Sequence, residues 1–103
     1  MAVKVVLITA PPDEGPGLAR RLVEERLAAC VNLLPAQSLF RWDGAVREAS
    51  EGLLMVKTTA VRLEALRARV LELHRYDCPE FIVLSVEDGL PEYLEWIGQE
   101  TRP

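Results

Sequence analysis

The sequence predicts an α+β sandwich of βαββαβ order closed by a terminal helix. Three observations carry that prediction. Apolar residues switch between strand and helix periodicity in that order along the chain. Asp43-Gly44, a two-residue hairpin signal, joins the second and third strands. The 103 residues, 50% of them hydrophobic, suffice for one domain, 1–103, and not for two.

Val3 to Thr9 is β-branched and apolar almost throughout, so it reads as a central strand buried on both faces. Pro11, Pro12, Gly15, Pro16 and Gly17 mark the loop that follows, with Asp13 as N-cap and Pro16 tolerated in the first helical turn. Leu18, Leu22, Val23 and Leu27 recur at helical spacing opposite Arg20, Arg21, Glu24 and Glu25, which predicts an amphipathic helix to about Ala29. A second strand starts at Cys30; Pro35 within it signals a bulge or a sheet edge. It resumes from Ser38 to Trp42, with Phe40 and Trp42 on one face and Leu39 and Arg41 on the other. The return arm runs from Ala45 to Thr58. The second helix takes Thr58 or Thr59 as cap and Leu63, Leu66, Val70 and Leu73 as its stripe. His74 to Pro79 reads as a polar loop and Glu80 to Val86 as the fourth strand. Pro91 opens a short last helix with Leu94 and Ile97 facing inward. With right-handed crossovers this order gives the ferredoxin-like sandwich, one antiparallel sheet with two helices on one face.

One length does not fit. From Cys30 to Trp42 an extended chain reaches roughly 40 Å, more than the roughly 35 Å diameter of a domain this size. The hairpin should therefore overhang its own sheet, carrying Phe40 and Trp42 with it. Such a tip asks for another subunit; the alternative is a hairpin that curls back over its own sheet. A domain this small also buries only about two-thirds of its unfolded surface, and Cys30 and Cys78 do not make a disulfide scaffold.

Composition excludes several functions. The net charge is -4, ten of the 12 basic residues are arginine, and no block of five or six like charges occurs, so nucleic acid is not an expected partner. No apolar run is long enough to span a membrane, and the amino terminus shows no signal-peptide pattern; a soluble cytoplasmic protein is expected. The third strand, Leu53-Leu54-Met55-Val56-Lys57, lacks the aromatic residues an RNA-recognition motif stacks on bases. The first loop lacks both the CxxC of a heavy-metal domain and the arginine cradle of an acylphosphatase. The only histidine cannot build a nucleophilic triad, so no enzymatic activity is expected.

The chemistry-bearing segment is His74-Arg75-Tyr76-Asp77-Cys78-Pro79-Glu80. Imidazole and thiolate suit copper or zinc, and the carboxylates suit harder cations, which makes His74, Asp77, Cys78 and Glu80 the candidate metal ligands. The same residues also read as a polar connection in which His74 caps helix carbonyls and Pro79 stiffens the turn. Cys30, after an Ala-Ala pair, reads as a small buried packing residue.

Glu25-Arg26-Leu27-Ala28-Ala29-Cys30-Val31-Asn32, Ser38-Leu39-Phe40-Arg41-Trp42-Asp43-Gly44, Glu48, Lys57-Thr58-Thr59, the His74 to Glu80 segment and Tyr93-Leu94-Glu95-Trp96 together resemble the CutA family of divalent-cation tolerance proteins. The resemblance spans essentially the whole chain. It implies a homotrimer similar in architecture to the PII signal proteins, with hairpins meeting between subunits and Phe40 and Trp42 at the interface. It implies a role in tolerance to divalent cations, chiefly copper, no required cofactor and no enzymatic activity. Trp42, Glu48, Lys57 and Tyr76 match positions near clefts between subunits, as a small-ligand or ion pocket or as interface packing. Arg75 and Asp77 depart from the usual proline and glutamate, and Phe40 from the usual tyrosine. Copper-binding members offer a first-strand cysteine and paired histidines; the matching positions here are Ile8 and Leu73, with His74 retained. The alternative is a PII-like signalling or scaffold trimer that takes a small anion or nucleotide in those clefts.

Overall fold

The computed structural model describes residues 2–103. Along the chain run β1 (Val3–Ala10), α1 (Gly15–Glu24), β2 (Cys30–Trp42), β3 (Ala45–Thr59), a 3-10 turn at Ala60–Arg62, α2 (Leu63–Leu73), β4 (Ile82–Ser85) and α3 (Pro91–Glu100). The strands form one antiparallel sheet in the order β2-β3-β1-β4. This is the ferredoxin-like topology, with β1 inside the sheet as its apolar run requires.

One face of the sheet carries the core. Val6, Ile8, Leu54 and Val56 project from β1 and β3 and meet Leu22 of α1 and Leu66 and Val70 of α2, all 0% exposed. The opposite face is covered only at one corner. There α3 packs Ile97 and Leu94 against Val3, Ala29 and Val86, as the inward placement of Leu94 and Ile97 required. The rest of that face stays open: Leu34, Ile82 and Leu84 are exposed, and Val5, Leu7, Leu53 and Met55 are only half-buried. Burial of β1 on both faces is thus incomplete within one chain.

The hairpin overhangs as its length demands. β1 supports β3 only as far as the Ala10–Gly52 pair, while β2 and β3 stay paired through to Trp42 and Ala45. The molecule measures 44 × 25 × 21 Å, and the arm does not curl back. Asp43 and Gly44 both adopt left-handed φ, 50° and 73°, the conformation of a two-residue turn whose twist matches the strands. The ladder passes Pro35 opposite Gly52 without a break in register. No bulge forms, because β2 is the sheet edge and the missing N–H costs little there.

Four local expectations are corrected. α1 stops at Glu24 because Arg26 turns left-handed, φ 61°, and the N–H groups of Leu27 and Ala28 both return to Leu22 O. The residue before α1 is Glu14, not Asp13, and no side chain caps that end. Thr58 and Thr59 do not cap α2. Thr58 is fully buried and donates its hydroxyl to Leu27 O at 2.7 Å, and the 3-10 turn leads into the helix instead. The fourth strand is shorter than read, Ile82–Ser85.

Candidate functional site

The His74 to Glu80 segment leaves α2 and crosses the end of β1, and hydrogen bonds fix it there. His74 Nε2 donates to Thr9 O at 2.6 Å, and its Nδ1 accepts the Tyr76 N–H at 3.1 Å. That pattern selects the neutral ring with the proton on Nε2 and leaves neither nitrogen free for a metal. The Tyr76 ring packs on His74 with centroids 4.7 Å apart, and its hydroxyl donates to Glu51 Oε2 at 3.0 Å.

Glu51 is the residue that sequence reading missed. It is 8% exposed, on β3 at the point where β1 ends. Its signal in the sequence is a carboxylate next to Gly52, where the strand turns from polar to apolar. Burial, and secondarily its bond to the Glu51 carboxylate, push the Tyr76 phenol up to about 12. Burial and then repulsion from Glu51 also push the Glu80 carboxyl above its ordinary value. Two carboxylates and a phenol therefore face one another at the sheet end. Beside them Arg75 Nε approaches Glu14 Oε2 at 2.7 Å, yet that oxygen has no aligned hydrogen bond: the contact is ionic, with the N–H directed away.

The four expected metal ligands are not gathered. Asp77 and Cys78 are exposed, and His74 is engaged at both nitrogens. Among the described residues no group of three or more His, Cys, Asp or Glu is arranged to hold a metal ion. Nor do the four expected cleft residues meet within one chain. Pairing alternation puts Lys57, opposite Val5 and Cys30, on the open face. Glu48, opposite Leu39, is on the other face, nine residues or roughly 30 Å along β3. Glu48 instead accepts from Gln37 Nε2 at 3.0 Å, and Ser50 donates to Gln37 Oε1 at 2.9 Å. Trp42 and Phe40 stand on the open-face side of the arm, 50% and 41% exposed; Tyr76 alone of the cleft set reaches the sheet-end cluster. Cys30 is half-buried rather than buried, and both cysteines are free.

Among the described residues no helix is long and apolar enough to cross a membrane. The profile of the family described as "CutA1 divalent ion tolerance protein" matches residues 4–100. The divalent-cation tolerance protein CutA of Thermus thermophilus is 48% identical over 100 residues, 95% of this chain and 97% of that one. The solved structure of the PII-like protein CutA from Nostoc sp. PCC 7120 in apo form superposes with a TM-score of 0.93 at 42% identity, covering 96% of this chain and 97% of that one. CutA1 from Oryza sativa gives a TM-score of 0.96 at 40% identity over 99% of this chain and 95% of the other. Likeness of sequence and of fold thus agree from end to end, and the chain belongs to the CutA1 divalent ion tolerance protein family.

Proposed function

We propose that the chain works as a cytoplasmic homotrimer that contributes to divalent-cation tolerance, chiefly towards copper, by binding ions or a small ligand between subunits. The observation that carries this reading is the uncovered apolar surface. The open sheet face and the arm with Phe40 and Trp42 present one continuous side that a single chain cannot bury. Copies of the chain packed sheet to sheet would cover it. They would also bring Trp42 of one arm towards Lys57 and Tyr76 of a neighbour, which one chain cannot do. A bound cation would then take donors from more than one subunit, with Asp77, Cys78 and Glu80 as candidates and His74 joining them only by giving up its bond to Thr9 or to Tyr76. Two free thiols fit a reducing compartment.

Light scattering should return about three times the 11.5 kDa of one chain. Titration of copper(I), copper(II) and zinc into the protein and into His74→Ala tests the ion; no binding above the non-specific level in either sinks it. One observation favours a small anion or nucleotide as the cleft ligand instead. Lys57 is half-buried on the open face and makes no ion pair among the described residues. A melting-temperature screen with nucleotides and organic anions on Lys57→Gln and the parent separates the two readings.

A further inference from the structure

The connection from β4 to α3 holds an aspartate-glycine pair that takes no part in the sheet-end cluster. Residues 86–90 adopt no regular structure, and Asp88 and Gly89 are exposed. The Gly89 N–H donates to Asp88 Oδ1 at 2.8 Å. Among the described residues it makes no backbone hydrogen bond. The amide nitrogen thus lies against the carboxyl group of the preceding residue, one bond from the carbon, Cγ, that it can attack. Holding two reacting groups together in this way removes most of the entropic cost of their encounter. Glycine also carries no Cβ to screen its nitrogen.

Packing explains why glycine stands there. A Cβ on Gly89 would come within 3.1 Å of Leu94 Cδ2. Leu94 belongs to the corner where α3 meets Val3, Ala29 and Ile97, so a side chain at 89 would push on the contact that seats α3. The other aspartate-glycine pair is an internal control. Asp43 and Gly44 are exposed too, but both are held in left-handed conformation, and the Trp42–Ala45 pair closes the ladder directly on them. Bringing the Asp43 carboxyl onto the Gly44 nitrogen requires rotation about the Asp43 Cα–C bond, which the paired flanks resist.

We propose that Asp88-Gly89 is a site of spontaneous modification, where the backbone rearranges to isoaspartate through a succinimide. The Gly89 nitrogen forms a bond to Asp88 Cγ and gives up its proton. One carboxyl oxygen leaves as water, taking that proton and the proton of the neutral acid. Water then adds to one of the two ring carbonyls, and the C–N bond at that carbonyl breaks. Opening at Cγ restores aspartate. Opening at the backbone carbonyl leaves the chain running through Cβ and Cγ, with the former main-chain carbonyl as a free carboxylate. The extra methylene displaces Gly89 from Leu94 and loosens α3 from the sheet. The reaction needs only water and does not depend on assembly.

The test ages the native protein at pH 7, below its melting temperature, beside the same chain in urea. Tryptic peptides separate the two pairs, Asp43 in residues 42–47 and Asp88 in residues 76–103, and electron-transfer fragmentation tells isoaspartate from aspartate. In the native protein isoaspartate should accumulate at Asp88 on the order of tenfold faster than at Asp43. In urea the two rates should converge. Asp88→Asn reaches the same ring by losing ammonia, so it should convert sooner than the parent, and its melting temperature should fall as it converts. Equal native rates at the two positions, or a faster rate at Asp43, overturn the proposal. So does an Asp88→Asn variant that converts more slowly when folded than in urea. A converted fraction that melts with the parent overturns the loosening of α3.

Discussion

Replacing Tyr76 by phenylalanine isolates the bond that anchors the sheet-end cluster. The hydroxyl donates to Glu51 at 3.0 Å, and a hydrogen bond to a charged acceptor contributes about 1.5–3 kcal/mol. Tyr76 is 36% exposed, so water competes and the figure falls to about 1–2 kcal/mol. Alkaline titration gives an independent measure. The phenol is raised from 10.0 to about 12, so the folded chain holds that proton more tightly than the unfolded one. The associated stability is complete below pH 10 and is lost as pH rises through 12. Two pH units correspond to about 2.7 kcal/mol before the same discount for exposure. Urea denaturation at fixed protomer concentration should show Tyr76→Phe less stable than the parent by about 1–2 kcal/mol at pH 7. The gap should close towards pH 12, because the variant has no phenol to ionise. A cycle with Glu51→Gln should return a coupling of about 1 kcal/mol. A loss below about 0.3 kcal/mol at pH 7, or strict additivity in the cycle, would refute the role given to this bond.

Three further outcomes are expected. Trp42→Ala should shift the protein towards smaller species in light scattering while circular dichroism of the subunit is unchanged, since half of that side chain is exposed in one chain; an unaltered assembly with unchanged melting counts against the arm as an interface. Glu80→Gln should stabilise at pH 7, and the gain should vanish as pH falls to 4.5. The Glu80 pKa is raised by burial and by Glu51, so the stability it offers is complete below 4.5 and lost as pH rises through its folded value. Destabilisation at pH 7 would contradict this. Arg69→Gln should act in the opposite direction: its hydrogen bond holds the Glu25 carboxyl below 4.5, so the pair stabilises at neutral pH and fades as pH falls through the lowered value. A denaturation difference independent of pH would exclude that pairing.

The frame of the molecule was legible because its signals are local. Asp43-Gly44 can close only a tight turn, and thirteen residues of strand before it must overreach a domain this small. The end of α1 was not legible. Glu25 to Ala29 is as helix-compatible as the turns before it, and what stops the helix is distant. Arg26, in its left-handed conformation, donates to Gln99 O at 2.9 Å in the last turn of α3 and to Arg102 O at 3.3 Å just beyond it. Thr58 failed as a cap for a similar reason, since its hydroxyl is claimed by Leu27 across the sheet junction. At the sheet end, the hydrogen bonds within one chain join residues that are distant in sequence. Neighbours in sequence suggested that His74 and Cys78 act together. The fold sends His74 to β1 and Tyr76 to β3, and it buries Glu51, which no local pattern ties to either.

The hairpin also bears on the order in which the chain folds. Its strands are neighbours in sequence and a two-residue turn joins them, so they can pair within microseconds of being available. The β1 pairings come later, because Ala10 must find Gly52 and Leu7 must find Ile82 across long intervening loops. During synthesis the arm is complete before β4 and α3 exist, and chains fold from the amino end as they emerge. The growing chain thus displays a ribbon bearing Leu39, Phe40, Trp42 and Val46, the same side chains that stay exposed in the finished subunit. Under the assembly proposed above, nascent chains on one message carry matching apolar arms side by side, and the place where they are made favours their first meeting.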